Sequence, residues 1–156
     1  MNIQLLKQLE ENPIKFGKTK NFVIQGIPES EILQLEQTWN NGNPFPIVLR
    51  ELLFLAGKDC YVLDYGIGDT QQGMQEWARE MMLDNGIVES RPFYVFDFYG
   101  GYNFRFIYLD EGNNPEVYEG YPHYDEAPSW KRALGNTIQY IINSRVQDVK
   151  KGLNPY

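Results

Sequence analysis

The chain has 156 residues, 42% of them apolar and 15% aromatic, and carries a net charge of −7 at neutral pH. A chain of this length buries about 70% of its unfolded surface, enough for a core without disulfide or metal staples, and so many aromatics argue against disorder. The acidic balance sets the chain against phosphate backbones, and so against nucleic acid as a partner. No stretch approaches the roughly 20 apolar residues of a membrane-spanning helix.

The opening segment, MNIQLLKQLEENP, has its apolar residues broken by Gln4, Lys7 and Gln8 and lacks the apolar run of a secretory leader. Cys60 is the sole cysteine, which suits a reducing compartment. The expectation is one soluble, cytoplasmic domain over 1–156.

Residues 3–9 read as a short helix stopped by Pro13, and NFVIQ, ending at Gln25, as a short edge strand. Pro28 and Ser30 signal a helix with Ile32, Leu35 and Trp39 on one face, ended by NNGNP. Pro46 opens the next helix at its favoured first position. IVLRELLFLA is apolar on nearly all sides apart from Arg50 and Glu51, which predicts a buried helix, capped by Gly57. CYVLDY, 60–65, carries the β-branched and aromatic residues of a strand. Asp69 or Thr70 caps a further helix, with Met74, Trp77, Ala78 and Met81 as its apolar stripe.

A hairpin run follows. PFYVFDF gives a strand over 93–98, and Gly100-Gly101 supplies the positive φ of a tight turn. The return strand, 103–109, alternates, with Phe104, Phe106 and Tyr108 on one face and Asn103, Arg105, Ile107 and Leu109 on the other. DEGNNP is a turn, and EVYEG a third, short strand. GYPHYDEAPSW reads as an irregular loop, after which Gly135 or Asn136 caps a last helix with Ile138, Ile141, Ile142, Val146 and Val149 inward. Clustered strands between helices predict an α+β fold: an antiparallel meander packed against N-terminal and C-terminal helices.

Little in this pattern points to catalysis. His123 is the sole histidine, so any Ser-His-Asp or Cys-His arrangement must run through it; in YPHYDE it reads as a solvated loop side chain. Cys60, opening an apolar segment, reads as a small core residue. One Cys and one His do not make the usual zinc ligand set, DEGNN lacks the spacing of a calcium loop, and the Gly66–Gly68 pair lacks the third glycine of a dinucleotide fingerprint. No cofactor and no metal is expected. Asp97, Asp110, Glu111, Glu116, Glu119, Asp125 and Glu126 lie on or near the meander. They read as a hydrated acidic rim more readily than as a glycosidase pair. Beside Tyr99, Tyr102, Tyr118, Tyr121 and Tyr124 they compose a protein-binding patch.

The helix ESEILQLEQTW leads through a short loop to PFPIVLRELLFLAG; later come YVFDFYGGYNFRFIYLD, NNPEVYEG and a closing helix. This layout resembles the SUKH superfamily, which includes the fungal cell-wall assembly regulator and many bacterial immunity proteins. Phe45-Pro46 fits the step that joins the family's first helix pair. Asp110, Pro115, Val117 and Tyr118 fit the acidic turn, proline and Val-Tyr pair that follow its sheet strand, and 137–149 fits the final helix. The resemblance covers roughly 29–149. It departs at Ala56-Gly57-Lys58, where many members carry an Asn-Gly-Gly-like turn, and across 66–92.

The resemblance implies a non-enzymatic protein-binding domain whose bacterial relatives act as antidotes to secreted toxins, often nucleases. A basic toxin would suit an acidic antidote. The expected partner is therefore a cognate, basic toxin, with no nucleic acid and no membrane. The expected surface is Tyr99, Tyr102, Arg105, Asp110, Glu111, Glu119, Tyr121 and Asp125. A regulatory scaffold of the cell-wall type is the alternative, and a carboxylate-dependent hydrolase the third reading.

Overall fold

The computed structural model describes residues 1–66, 68–123 and 129–156. Its elements run α1 (Lys7–Glu11), β1 (Ile14–Lys15), β2 (Phe22–Val23), α2 (Glu29–Trp39), α3 (Ile47–Ala56), α4 (Gln71–Asp84), β3 (Phe93–Tyr99), β4 (Asn103–Tyr108), β5 (Glu116–Gly120), β6 (Lys131–Thr137) and α5 (Ile138–Lys150). β3-β4-β5-β6 form an antiparallel meander and β1-β2 a separate hairpin, giving the expected α+β fold. Among the described residues no helix is long and apolar enough to cross a membrane.

Alternation along β4 divides the core in two. Ile107 and Leu109 join α1, α2, α3 and α5 on one face of the sheet, with Tyr94, Phe96 and Val117. Phe104, Phe106 and Tyr108 face the other way, against Phe93, Val95 and Phe98 and the α4 residues Met74, Ala78 and Met81. Trp130 extends this second layer by stacking on Phe106, ring centroids 5.5 Å apart. The Gly100-Gly101 turn has both glycines at positive φ, 61° and 75°, which only glycine adopts at no steric cost.

Several sequence expectations are corrected. Residues 60–65 do not form a strand; they make an irregular turn. Cys60, Tyr61, Val62 and Leu63 are all buried, so their apolar character answers a packing demand. Their backbone bonds to side chains and to an edge: Asp64 N–H donates to the Asp97 carboxylate and Arg145 to the Val62 carbonyl. β6 takes the place of the loop and cap expected before the last helix. KRALGNT has no alternating apolar pattern, and pairing with β5 supplies its strand character. The helix cap is Thr137, whose hydroxyl accepts from Tyr140 N–H. Trp77, expected inward on α4, is 39% exposed.

The first helix begins later than expected because its approach is held from outside. The backbone N–H groups of Gln4, Leu5 and Leu6 donate to the Glu51 carboxylate at 2.6, 2.9 and 2.9 Å. Glu51 is the buried carboxylate in the middle of α3, and a carboxylate there is tolerable because backbone donors surround it. From the other side, Gln139 donates to the Leu5 carbonyl and Gln147 to Gln8, which ties the N-terminal segment to α5.

The free edge of β3 is also closed. The Gln75 side-chain amide donates to the Val95 carbonyl at 2.7 Å and accepts from Val95 N–H at 2.9 Å, standing in for a neighbouring strand. Arg79 caps the Phe93 carbonyl, and Phe98 N–H donates to the Asp64 carbonyl.

Glu51→Gln keeps the shape but weakens three charge-assisted bonds, and should cost about 2 kcal/mol in urea unfolding. A loss under about 0.5 kcal/mol would show that the N-terminal segment docks without this carboxylate.

Candidate functional site

The meander carries a row of alternating charge. Asp97 on β3 lies opposite Arg105 on β4, Arg105 opposite Glu119 on β5, and Glu119 opposite Arg132 on β6. Directly opposed unlike charges stabilise a sheet face. The first member reaches this row through a β-bulge between Val95 and Asp97, which inserts Phe96 and turns Phe96 and Asp97 towards the α5 side.

The row runs from a buried end to an exposed one. Asp97 is fully buried, Arg105 and Glu119 are partly covered, and Arg132 is exposed. Asp97 Oδ2 accepts from Arg145 of α5 at 2.9 Å and from Arg105 at 3.2 Å, and Oδ1 accepts from Asp64 N–H at 2.9 Å. Burial pushes the Asp97 carboxyl above its ordinary range, while Arg145, the Asp64 N–H and Arg105 pull it back. At the outer end Glu119 accepts from Arg132 at 2.9 Å and from the Tyr121 hydroxyl. Burial, reinforced by that carboxylate, pushes the Tyr121 phenol up to about 12.

A groove of about 430 Å³ lies between this row and α5, with Tyr99, Tyr121, Tyr140 and Tyr156 among its walls. The tail folds back to close one end: Tyr156 lies 5.3 Å over the Arg145 guanidinium and 6.3 Å from the Tyr99 ring.

Of the expected surface residues, Tyr99, Arg105, Glu119 and Tyr121 come together in this groove. Tyr102 is 71% exposed and lies in a different groove, beside α4. Asp110 and Glu111 follow the far end of β4, roughly 20 Å from the hairpin tip by strand rise. Both are paired with Arg91, at 2.6 and 2.9 Å. That exposed pair holds the Asp110 carboxyl below its ordinary range through the Arg91 hydrogen bond and contributes little to stability. Asp125 lies outside the described residues.

Sequence reasoning missed Arg145, Tyr140 and Tyr156 as groove residues. Arg145 had a signal: it falls four residues after Ile141, on the apolar stripe of α5, where a cation requires a buried counter-charge. Asp97, the one charged residue in FYVFDFY, was the other half of that pair.

Another cavity, of about 860 Å³, lies between the β1-β2 hairpin and 58–69, and among its described lining residues shares only Tyr99 with the expected surface. Its cations Lys15, Lys20 and Lys58 are balanced by Asp59, Asp64 and Asp69, so it has no dominant charge. Cys60, on its wall, has its thiol pushed up to about 12 by burial. His123 takes a hydrogen bond from Asn85 at 3.3 Å on the surface. Among the described residues no three His, Cys, Asp or Glu side chains are placed to hold a metal ion.

Asp97→Asn leaves Arg145 buried without its counter-charge and should cost about 3–5 kcal/mol in urea unfolding. Arg105→Gln, at the partly exposed position, should cost clearly less; equal losses would show that the Arg145 pair is not the tighter one. Cys60 should resist an aromatic disulfide reagent at pH 8 in the folded protein and react at once in denaturant. Rapid labelling of the native chain would contradict its burial. No family model matches the chain, and no curated protein and no solved structure matches it either.

Proposed function

We propose that the chain is a non-enzymatic, SUKH-type protein-binding domain that neutralises a toxin by occupying it through the groove between the sheet and α5. The observation that carries this reading is the gathering of Tyr99, Arg105, Glu119 and Tyr121 in one groove. Tyrosines give a large amphipathic contact at low entropic cost, and arginine adds directional hydrogen bonds. Occlusion needs no reacting group, only a surface that stays in place. The row from Asp97 to Arg132 supplies that stiffness, since its innermost members are fixed from three elements.

The net charge of −7 favours rapid encounter with a basic partner. The burial-raised Cys60 thiol supports a binding role over thiol chemistry. The resemblance in 29–149 supplies the class of partner, a co-encoded toxin.

Co-expression with the toxin domain encoded by the neighbouring gene should restore growth that the toxin alone abolishes. Tyr99→Ala with Tyr140→Ala, both exposed positions, should weaken the complex by at least about 30-fold, the scale of a lost hot spot, with unfolding unchanged. Asp110→Lys with Glu111→Lys should slow association less than about threefold, as rim charges do. Growth rescue undiminished by the tyrosine pair would move the contact off the groove. Absence of rescue, with no complex in a pull-down, would favour the scaffold reading.

A further inference from the structure

On the face of the sheet opposite that groove, α4 and the β3-β4 turn enclose a second groove, of about 320 Å³, lined by Trp77, Glu80, Met81, Asp84, Gly101, Tyr102 and His123. Trp77, Glu80, Met81 and Asp84 recur at i, i+3, i+4 and i+7, so one shoulder of α4 presents all four. The other wall is built by the turn. Gly100 and Gly101, both at positive φ, bring Tyr102 up against His123, ring centroids 6.4 Å apart and nearly perpendicular. Asn85 holds the His123 ring through Nδ1.

The contents of this groove are chemically one-sided. Two aromatic rings, 39% and 71% exposed, stand where packing would normally cover them. Glu80 and Asp84, both exposed, enter no ion pair among the described residues. Among the described residues no lysine or arginine lines the groove. Aromatic faces attract cations, and a planar guanidinium stacks on them while its N–H groups reach carboxylates.

We propose that this groove receives an arginine side chain of a partner protein, stacked between Trp77 and Tyr102 and hydrogen-bonded to Glu80 and Asp84. The site lies apart from the tyrosine groove and stands whether or not the chain neutralises a toxin.

The test uses the full chain, ¹⁵N-labelled, at low salt, titrated with the capped peptide Ac-Arg-Arg-Arg-NH₂. The isosteric, neutral Ac-Cit-Cit-Cit-NH₂ serves as control. The arginine peptide should shift the Trp77 indole N–H and the amides of 77–84 and 101–102 saturably, and the citrulline peptide should not. Glu80→Gln with Asp84→Asn should weaken the apparent affinity at least about fivefold, and Tyr102→Ala about two- to fivefold, the worth of an exposed cation–π contact. Glu10→Gln with Glu11→Gln, the same charge change on α1, should leave it within about twofold, because exposed charges beyond a screening length contribute little. Three results would overturn the proposal: equal shifts from citrulline, shifts scattered over the acidic surface without Trp77, or equal weakening by the two charge-neutralising pairs.

Discussion

The Asp97 carboxylate is the constraint on which the rest of this architecture depends. It is fully buried and joins three parts of the chain: the 60–65 turn through Asp64 N–H, β4 through Arg105 and α5 through Arg145. Removing a carboxylate from water costs several kcal/mol, and a single cation seldom repays it. Here two guanidiniums and a backbone donor share the task, and Arg145 is itself anchored on the Val62 carbonyl. Interactions of this kind add less to net stability than to uniqueness, because any other arrangement of α5 on the sheet leaves a charge stranded. The tyrosine groove inherits its shape from this arrangement: its floor is the charged row and its roof is the helix that the row orients.

The two sheet edges are managed by different means. β3 carries no free ladder where Gln75, Arg79 and Asp64 meet it, so α4 and the 60–65 turn act as its neighbours. β6 has no such cover from another strand, being last in the sheet order. It carries Lys131 and Arg132, a left-handed Gly135 and a register irregularity against β5. Charges, glycine and bulges discourage a second chain from adding to an edge. An acidic molecule thus shows a basic strand at the place where uncontrolled pairing is most harmful.

What the sequence revealed follows the range of the forces involved. α2, α3, α4 and the β3-β4 hairpin are set by local periodicity and by glycine stereochemistry, and these were legible. The 60–65 turn was not, since its apolar run is compatible with any buried conformation and the deciding partner, Asp97, lies more than thirty residues away. β6 was hidden for the opposite reason: KRALGNT has weak strand propensity, and β5 imposes the conformation. Part of the site was legible because Arg105 and Glu119 fall on strands of readable phase. Tyr102, one turn away, faces the other side of the sheet; proximity along the chain says nothing about which face a turn residue joins. The acidic pair Asp110 and Glu111 looked available for a partner only because Arg91, the residue that engages them, sits in an unpatterned loop.

The bonds that tie the N-terminal segment to α5 have a temporal meaning. Leu5 meets Gln139 and Gln8 meets Gln147, contacts that span more than 130 residues of chain. During synthesis the first segment emerges long before its partner exists. Contacts of such separation form late and slow the final folding step. Leu6 and Leu9, which are completely buried in the finished molecule, must therefore leave the ribosome before their cover is complete, with Glu51 and the Tyr61 hydroxyl, which donates to the Asn12 carbonyl, among the early anchors of their segment. A nascent chain stalled before residue 138 would present these leucines to chaperones, and completion of the last helix would be the event that withdraws them.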